Sequence, residues 1–231
     1  MATLYDKKVV ISGKIIEVYK YSKMQVYGFT AFPSNKGFEK NEEEKNRSKF
    51  SQSRSSFNIR GLVNSNPDLN KFLTLTFAKN QKNLSKANYE FKKFIERMKY
   101  KYQIFKYVCV VEFQKRGAVH YHIICNLTYI KKKTIEKIWS HGFVKINRVQ
   151  SVRNLGAYFA KHGTKGDEVE SKLLASRKKF FCSRGINRPI ILRNPDKTKE
   201  YIDKNLQNKV AFFRKNYKKE NLEIDYTQFK V

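Results

Sequence analysis

Polar and apolar residues alternate strictly in Phe72-Leu-Thr-Leu-Thr-Phe77, so Leu73, Leu75 and Phe77 share one side of a predicted strand and Thr74 and Thr76 the other. Period changes after it: Phe91, Phe94, Ile95 and Met98 recur at helical spacing, predicting a helix capped at Ser85 and running to about Lys101. Two runs rich in Val, Ile, Tyr and Phe follow, Tyr107 to Gln114 and Ala118 to Cys125, and read as a hairpin. With a three-residue Lys115-Arg116-Gly117 loop, Gly117 takes the left-handed position such hairpins need. Gln114 then opposes Ala118 and Glu112 opposes His120, whereas a two- or four-residue loop sends Glu112 to the opposite face. Downstream, a short helix is predicted over Thr134 to Ser140, ended by His141-Gly142, then a strand over Phe143 to Val149 and a helix over Asn154 to His162.

The ends of the chain are less regular. Lys8 to Tyr19 reads as a strand broken at Ser12-Gly13, and Gln25 to Phe32 as a second, together an N-terminal hairpin. Pro33 to Arg60 is dominated by Ser, Asn, Lys, Glu and Arg and reads as a mobile or partly helical connector. Phe180 to Pro189 reads as a basic loop, and Lys199 to Lys218 as a strongly basic last helix. The order predicts an α+β domain with a central, mostly antiparallel sheet of about five strands and flanking helices. Both faces of the hairpin are apolar apart from its polar residues, so helices are expected on one face and a cleft over the other.

Charge sharpens this picture. The 231 residues carry a formal net charge of +29, with aromatics at 14%. Such an excess points to a polyanion, and interleaved Tyr and Phe favour nucleic acid, where bases can stack. No stretch has the length and apolarity to span a bilayer, and no signal-peptide run is present, so no membrane partner is expected. Cys109, Cys125 and Cys182 lack metal-ligand spacing and read as reduced residues of a cytoplasmic protein.

Candidate chemistry gathers on the hairpin. His120 and His122 point to the same side of one strand and make half of a metal site; Glu112 supplies a third ligand if the register is as above. Mixed imidazole and carboxylate ligation admits Mn²⁺ or Mg²⁺. Lys115 and Arg116 lie at the hairpin tip, bordering the expected cleft.

Three blocks, in order, now carry a resemblance: the Phe72–Phe77 strand, His120-Tyr-His122 with Glu112 eight positions upstream, and Tyr158-Phe-Ala-Lys161. Together they resemble the HUH endonucleases, specifically the rolling-circle replication initiators of small plasmids and phages. The resemblance covers roughly residues 58–195. It implies an N-terminal hairpin and connector (1–57), an HUH endonuclease domain (58–195) and a basic C-terminal helix and tail (196–231).

It further implies nicking of single-stranded origin DNA by Tyr158, leaving a 5′-phosphotyrosine and a free 3′-OH that primes a polymerase, with later rejoining. A phenol is mostly protonated at neutral pH, and Lys161, one helical turn on, can favour the phenolate, contact the phosphate or order metal and substrate. Thr74 and Thr76 are candidate DNA contacts on the active-site floor. Arg184 and Arg188, in Ser183-Arg-Gly-Ile-Asn-Arg-Pro189, are candidates too, because that segment looks like one recurring after the third block in related initiators.

Neighbouring readings fit less well. Relaxases typically place the tyrosine before the histidines and carry a third histidine, and single-tyrosine transposases are typically shorter. A basic DNA-binding protein with incidental histidines explains neither Glu112 nor the Tyr-x-x-Lys. No Gly-x-x-x-x-Gly-Lys-Ser/Thr phosphate loop occurs, so the host is expected to supply the helicase as well as the polymerase. Positions 154 and 162, either side of Tyr158, are Asn and His, so a two-tyrosine relay is not expected, and closing the circle would need a second molecule or another nucleophile.

Overall fold

The computed structural model describes residues 2–28, 53–114, 116–149, 154–161, 178–219 and 221–231, which fall into two compact units. Strands β1 (Thr3–Ser12) and β2 (Ile15–Tyr27) precede helix α1, over residues 53–64, and strand β3 (Lys71–Thr76). Helix α2 (Leu84–Lys101), strands β4 (Tyr107–Phe113) and β5 (Val119–Cys125), helix α3 (Lys132–Trp139) and strand β6 (Val144–Arg148) follow. After helix α4 (Leu155–Ala160) come strands β7 (Phe180–Cys182) and β8 (Ile190–Leu192), helix α5 (Pro195–Leu206), and strands β9 (Phe213–Lys219) and β10 (Leu222–Lys230). The α+β class expected from the sequence is observed, with an antiparallel sheet of five strands at the centre of the larger unit.

That larger unit lies between positions 53 and 187, and its sheet runs β6-β3-β5-β4-β7. One face is the odd-numbered side of β3, Leu73 and Leu75, with Cys109, Val111, Tyr121 and Ile123 of the hairpin. Onto it α2 lays Leu84, Ala87, Phe91, Phe94, Ile95 and Met98, and α3 adds Ile135 and Trp139. Fully burying each large side chain of this kind favours folding by ~1.5–3 kcal/mol. The opposite face carries a second cluster: Val108, Val110 and Ile124 from the sheet, Ile59, Leu62 and Val63 from α1, and Phe159 and Ala160 from α4.

Helices therefore flank both faces, not one as expected. On the second face the apolar rows end at Val110, and the next residues along the hairpin strands, Glu112 and His120, are polar and only part-buried. Burial by α1 and α4 serves the apolar end of this face, and the polar end is the candidate site.

The smaller unit takes residues from both ends of the chain, 2–28 and 188–231. Its sheet runs β8-β1-β2-β10-β9, every neighbouring pair antiparallel. Val9, Ile16 and Val18 pack with Leu206, and Tyr201 and Ile202 of α5 complete that layer.

Several expectations need correction. The N-terminal hairpin turns at Gly13-Lys14, with Ser12 paired to Ile15, so the apparent break inside one strand is the turn itself. The connector over 33–60 ends in α1, whose Ile59 is fully buried; its remaining residues lie outside those described. Asn83, not Ser85, caps α2, its side chain accepting from Lys86 N at 3.0 Å. The basic loop over 180–189 begins as β7, which pairs with β4.

The predicted helix over 199–218 is the largest error. Asn194 caps α5 and Pro195 opens it, so the helix starts earlier and ends at Leu206. Phe213, Lys215 and Tyr217 then alternate along β9, where pairing with β10 outweighs helical propensity. Residues 1–57 and 196–231, expected as separate appendages, contribute strands to one sheet instead.

Candidate active site

The hairpin turn decides what shares a face. Gln114 N donates to Ala118 O at 2.8 Å and Gly117 N to Gln114 O at 2.7 Å, closing a loop of residues 115–117. Gly117 has φ +80°, a conformation L side chains rarely adopt. Glu112 therefore stands directly opposite His120, as the three-residue loop requires. Lys115 lies outside the described residues.

Pairing with β3 extends this into rows across the sheet. Thr76, His120 and Glu112 form one row; Lys145, Thr74, His122 and Val110 form the next. Lys145 is exposed. The register of β6 against β3 puts it there, and nothing in the local pattern around Lys145 announces it.

Within these rows the polar groups are connected. Glu112 Oε2 lies 2.5 Å from His122 Nε2, and Thr74 Oγ1 lies 3.2 Å from His122 Nδ1. A hydroxyl both donates and accepts, so Thr74 can serve either tautomer of the imidazole and fixes its ring plane in both. His120 differs. Its Nε2 is buried and has no hydrogen-bond partner among the described residues. Burial, reinforced by the neighbouring His122, lowers its pKa to about 4; Glu112 opposes the shift and Arg116 adds to it. His120 is therefore neutral at physiological pH, with a lone pair free for an electrophile.

As a metal centre the donor set fits in chemistry: two imidazoles, one with an unmatched buried nitrogen, and a carboxylate on one face. Among the described residues, however, no three His, Cys, Asp or Glu side chains are arranged to hold an ion. The direct Glu112–His122 contact accounts for this, because neighbouring ligands at ~2.1 Å from a shared ion stand ~3 Å apart.

The tyrosine arrives on α4. Asn154 caps that helix, its Oδ1 accepting from Ala157 N at 2.9 Å and from Asn64 Nδ2 at 2.8 Å. Asn64 Oδ1 in turn accepts from Gly156 N at 2.8 Å. This reciprocal bonding ties the tyrosine helix to the end of α1. Contact there is so close that a Cβ on Gly156 would sit 2.3 Å from Arg60 O. Phe159 faces inward against Phe72 at 5.7 Å between ring centroids, and Phe72 is 5.7 Å from the His122 ring. Phe159 and Ala160 are thus buried on the histidine face, whereas Tyr158 is 47% exposed and Lys161, which ends the helix, is exposed also.

The remaining candidates spread out. Arg116 is exposed at the hairpin tip, its Nε donating to Gln114 Oε1 at 2.8 Å, and its charge reaches His120. Arg184 is exposed on the turn after β7, between buried Ser183 and Ile186. Asn187, beside it, exchanges two hydrogen bonds with Asn66, at 2.9 and 3.0 Å. Arg188 is exposed and belongs to the smaller unit. His141 pairs with Glu90 of α2 at 2.9 Å and stacks near Trp139, on the other side of the sheet. His162 lies outside the described residues.

The sequence did not reveal Asn64, Gly156, Phe72 or Lys145 as parts of this site. A glycine inside a helix, two residues from a candidate nucleophile, was the one available signal, since it invites a close-packing explanation.

Residues 70–167 match the family model of the replication-associated proteins of the ORF2 and gene II protein type. No curated protein and no solved structure gives a match. Among the described residues no helix is long and apolar enough to cross a membrane.

Proposed function

From the likeness of residues 70–167 to this family of replication-associated proteins, which supports a replication-initiator role, we propose that the chain initiates rolling-circle replication by nicking single-stranded origin DNA. The observation that best supports the reading is the row register: Glu112 opposite His120, beside His122, on the face against which the tyrosine helix is anchored. The proposed fold around it is that of the HUH endonucleases.

Tyr158 Oη attacks the scissile phosphorus. The bond from phosphorus to O3′ breaks, a 5′-phosphotyrosine forms, the phenol proton passes to solvent, and the departing O3′ takes up a proton to become the 3′-OH. One ester replaces another, so no nucleotide hydrolysis is required and the same step in reverse rejoins the strand. Mn²⁺ or Mg²⁺ held by Glu112, His120 and His122 would polarise the phosphate oxygens. Thr74 keeps His122 in plane, and its hydroxyl accepts from Nδ1–H once Nε2 is committed as a ligand. Lys161 and Lys145 supply positive charge to the phosphate, and Arg116 holds the strand at the hairpin tip. The free 3′-OH primes a host polymerase, with a host helicase opening the duplex.

The test is incubation with origin oligonucleotides and Mn²⁺, denaturing electrophoresis, and mass mapping of the DNA-linked peptide. The native chain should form an adduct on Tyr158 that EDTA prevents. Tyr158→Phe should retain binding and lose the adduct, and an adduct formed by that variant would overturn the assignment.

A further inference from the structure

The sheet of the smaller unit has two unlike faces. One is closed by α5. The other carries rings. Register places Lys8, Tyr19, Tyr226 and Lys215 in a single row across β1, β2, β10 and β9. Tyr21 and Tyr217 stand in the row beyond, either side of Ile224, and Phe213 pairs with Gln228 in the row before. The rings form a continuous array: Tyr19 to Tyr226 at 4.8 Å, Tyr19 to Tyr21 at 6.4 Å, Phe213 to Tyr226 at 6.0 Å and Tyr217 to Tyr226 at 6.1 Å.

The array is fixed from beneath and charged at its edges. Tyr226 Oη donates to the buried carboxylate of Glu17, and Gln228 bonds to the same hydroxyl, so the central ring is held in place. Lys8 Nζ lies 3.9 Å from the Tyr19 centroid and Lys215 Nζ 5.0 Å from that of Tyr217. Toward β9 the surface opens: Phe213 is 44% and Tyr217 40% exposed, and Lys215 is exposed between them. Large rings left open to water and interleaved with lysines lack the apolar partner that an ordinary core face has. They offer flat surfaces to bases and cations to phosphates, the combination that binds a single strand without reading its sequence.

We propose that this face is a second DNA-binding surface, on which bases of single-stranded DNA stack against Phe213, Tyr217, Tyr19 and Tyr21 while Lys8 and Lys215 meet the phosphates. Duplex DNA fits it poorly, since its bases are already stacked on one another. The surface depends on the initiator reading only for the identity of its polymer, because none of its residues belongs to the Tyr158 site.

The experiment uses the full chain, carrying Tyr158→Phe to prevent covalent capture, and a fluorescein-labelled oligothymidylate followed by anisotropy. The Phe213→Ala/Tyr217→Ala pair should bind about tenfold or more weakly, given the usual worth of base–aromatic stacking. Phe213→Trp/Tyr217→Trp should keep native affinity, and unlabelled duplex should compete poorly. Native affinity in the alanine pair, equal weakening in the tryptophan pair, or equal competition by duplex would each overturn the proposal. Adduct formation by the chain with Tyr158 intact is measured in parallel: its absence would defeat the nicking mechanism and leave this binding comparison standing.

Discussion

His120 is the residue whose surroundings say most about its work. Its ring is neutral because burial and His122 disfavour the cation, and its Nε2 has no hydrogen-bond partner among the described residues. A buried polar atom without a partner ordinarily costs ~1–3 kcal/mol, which a bound electrophile would offset. The shift also has a consequence for folding. In an unfolded chain the imidazole titrates near ~6.5, so between that pH and about 4 the unfolded state holds more protons than the folded one. Stability from this group is thus complete above the unfolded pKa and is lost as pH falls through the window. Urea unfolding in EDTA should show a larger drop in midpoint from pH 7 to pH 5 for the native chain than for His120→Gln.

At the scale of elements, the tyrosine helix depends on α1. Six residues are too few for α4 to be stable by itself, so its position is set by the Asn64, Asn154 and Gly156 bonds and by Phe159. Gly156→Ala places a methyl against the Arg60 carbonyl and should displace the helix. Adduct yield is expected to fall at least tenfold, with oligonucleotide affinity changed less than threefold, because the phosphate contacts lie elsewhere; these are order-of-magnitude figures for a misplaced nucleophile. Single-turnover cleavage alongside anisotropy measures both.

The same elements show what the sequence could reveal. Hairpin parity was legible because one glycine fixes a loop length and a period of two does the rest. Helix α1 was not, since its buried Ile59, Leu62 and Val63 follow a long polar run that masks the apolar stripe. Nor was β9, in which Arg214, Lys215, Lys218 and Lys219 read as helical surface until a partner strand is supplied. Local period reports which face is apolar. It does not report which distant strand will pair, and Lys145 and the aromatic array both rest on such pairings.

Over the whole molecule, a charge of +29 governs how DNA is met before any register is found. Each phosphate neutralised on a single strand contributes about −0.7 to the slope of log affinity against log salt, so about five contacts would give about −3.5. Titrations of the Tyr158→Phe chain across a range of KCl concentrations should show a slope at least that steep.

Order of synthesis adds a constraint of another kind. β2 pairs with β10, and Val231 N bonds to Lys14 O at 2.9 Å. The β1–β2 hairpin therefore waits after leaving the ribosome, one edge unpaired, until residues 222–231 emerge, whereas every strand of the histidine sheet has already been made. A transcript broken before codon 222 would yield a chain with the tyrosine and both histidines but an open, adhesive β-edge, a product destined for aggregation or proteolysis. Such coupling between strands made early and late would keep truncated chains from competing for an origin.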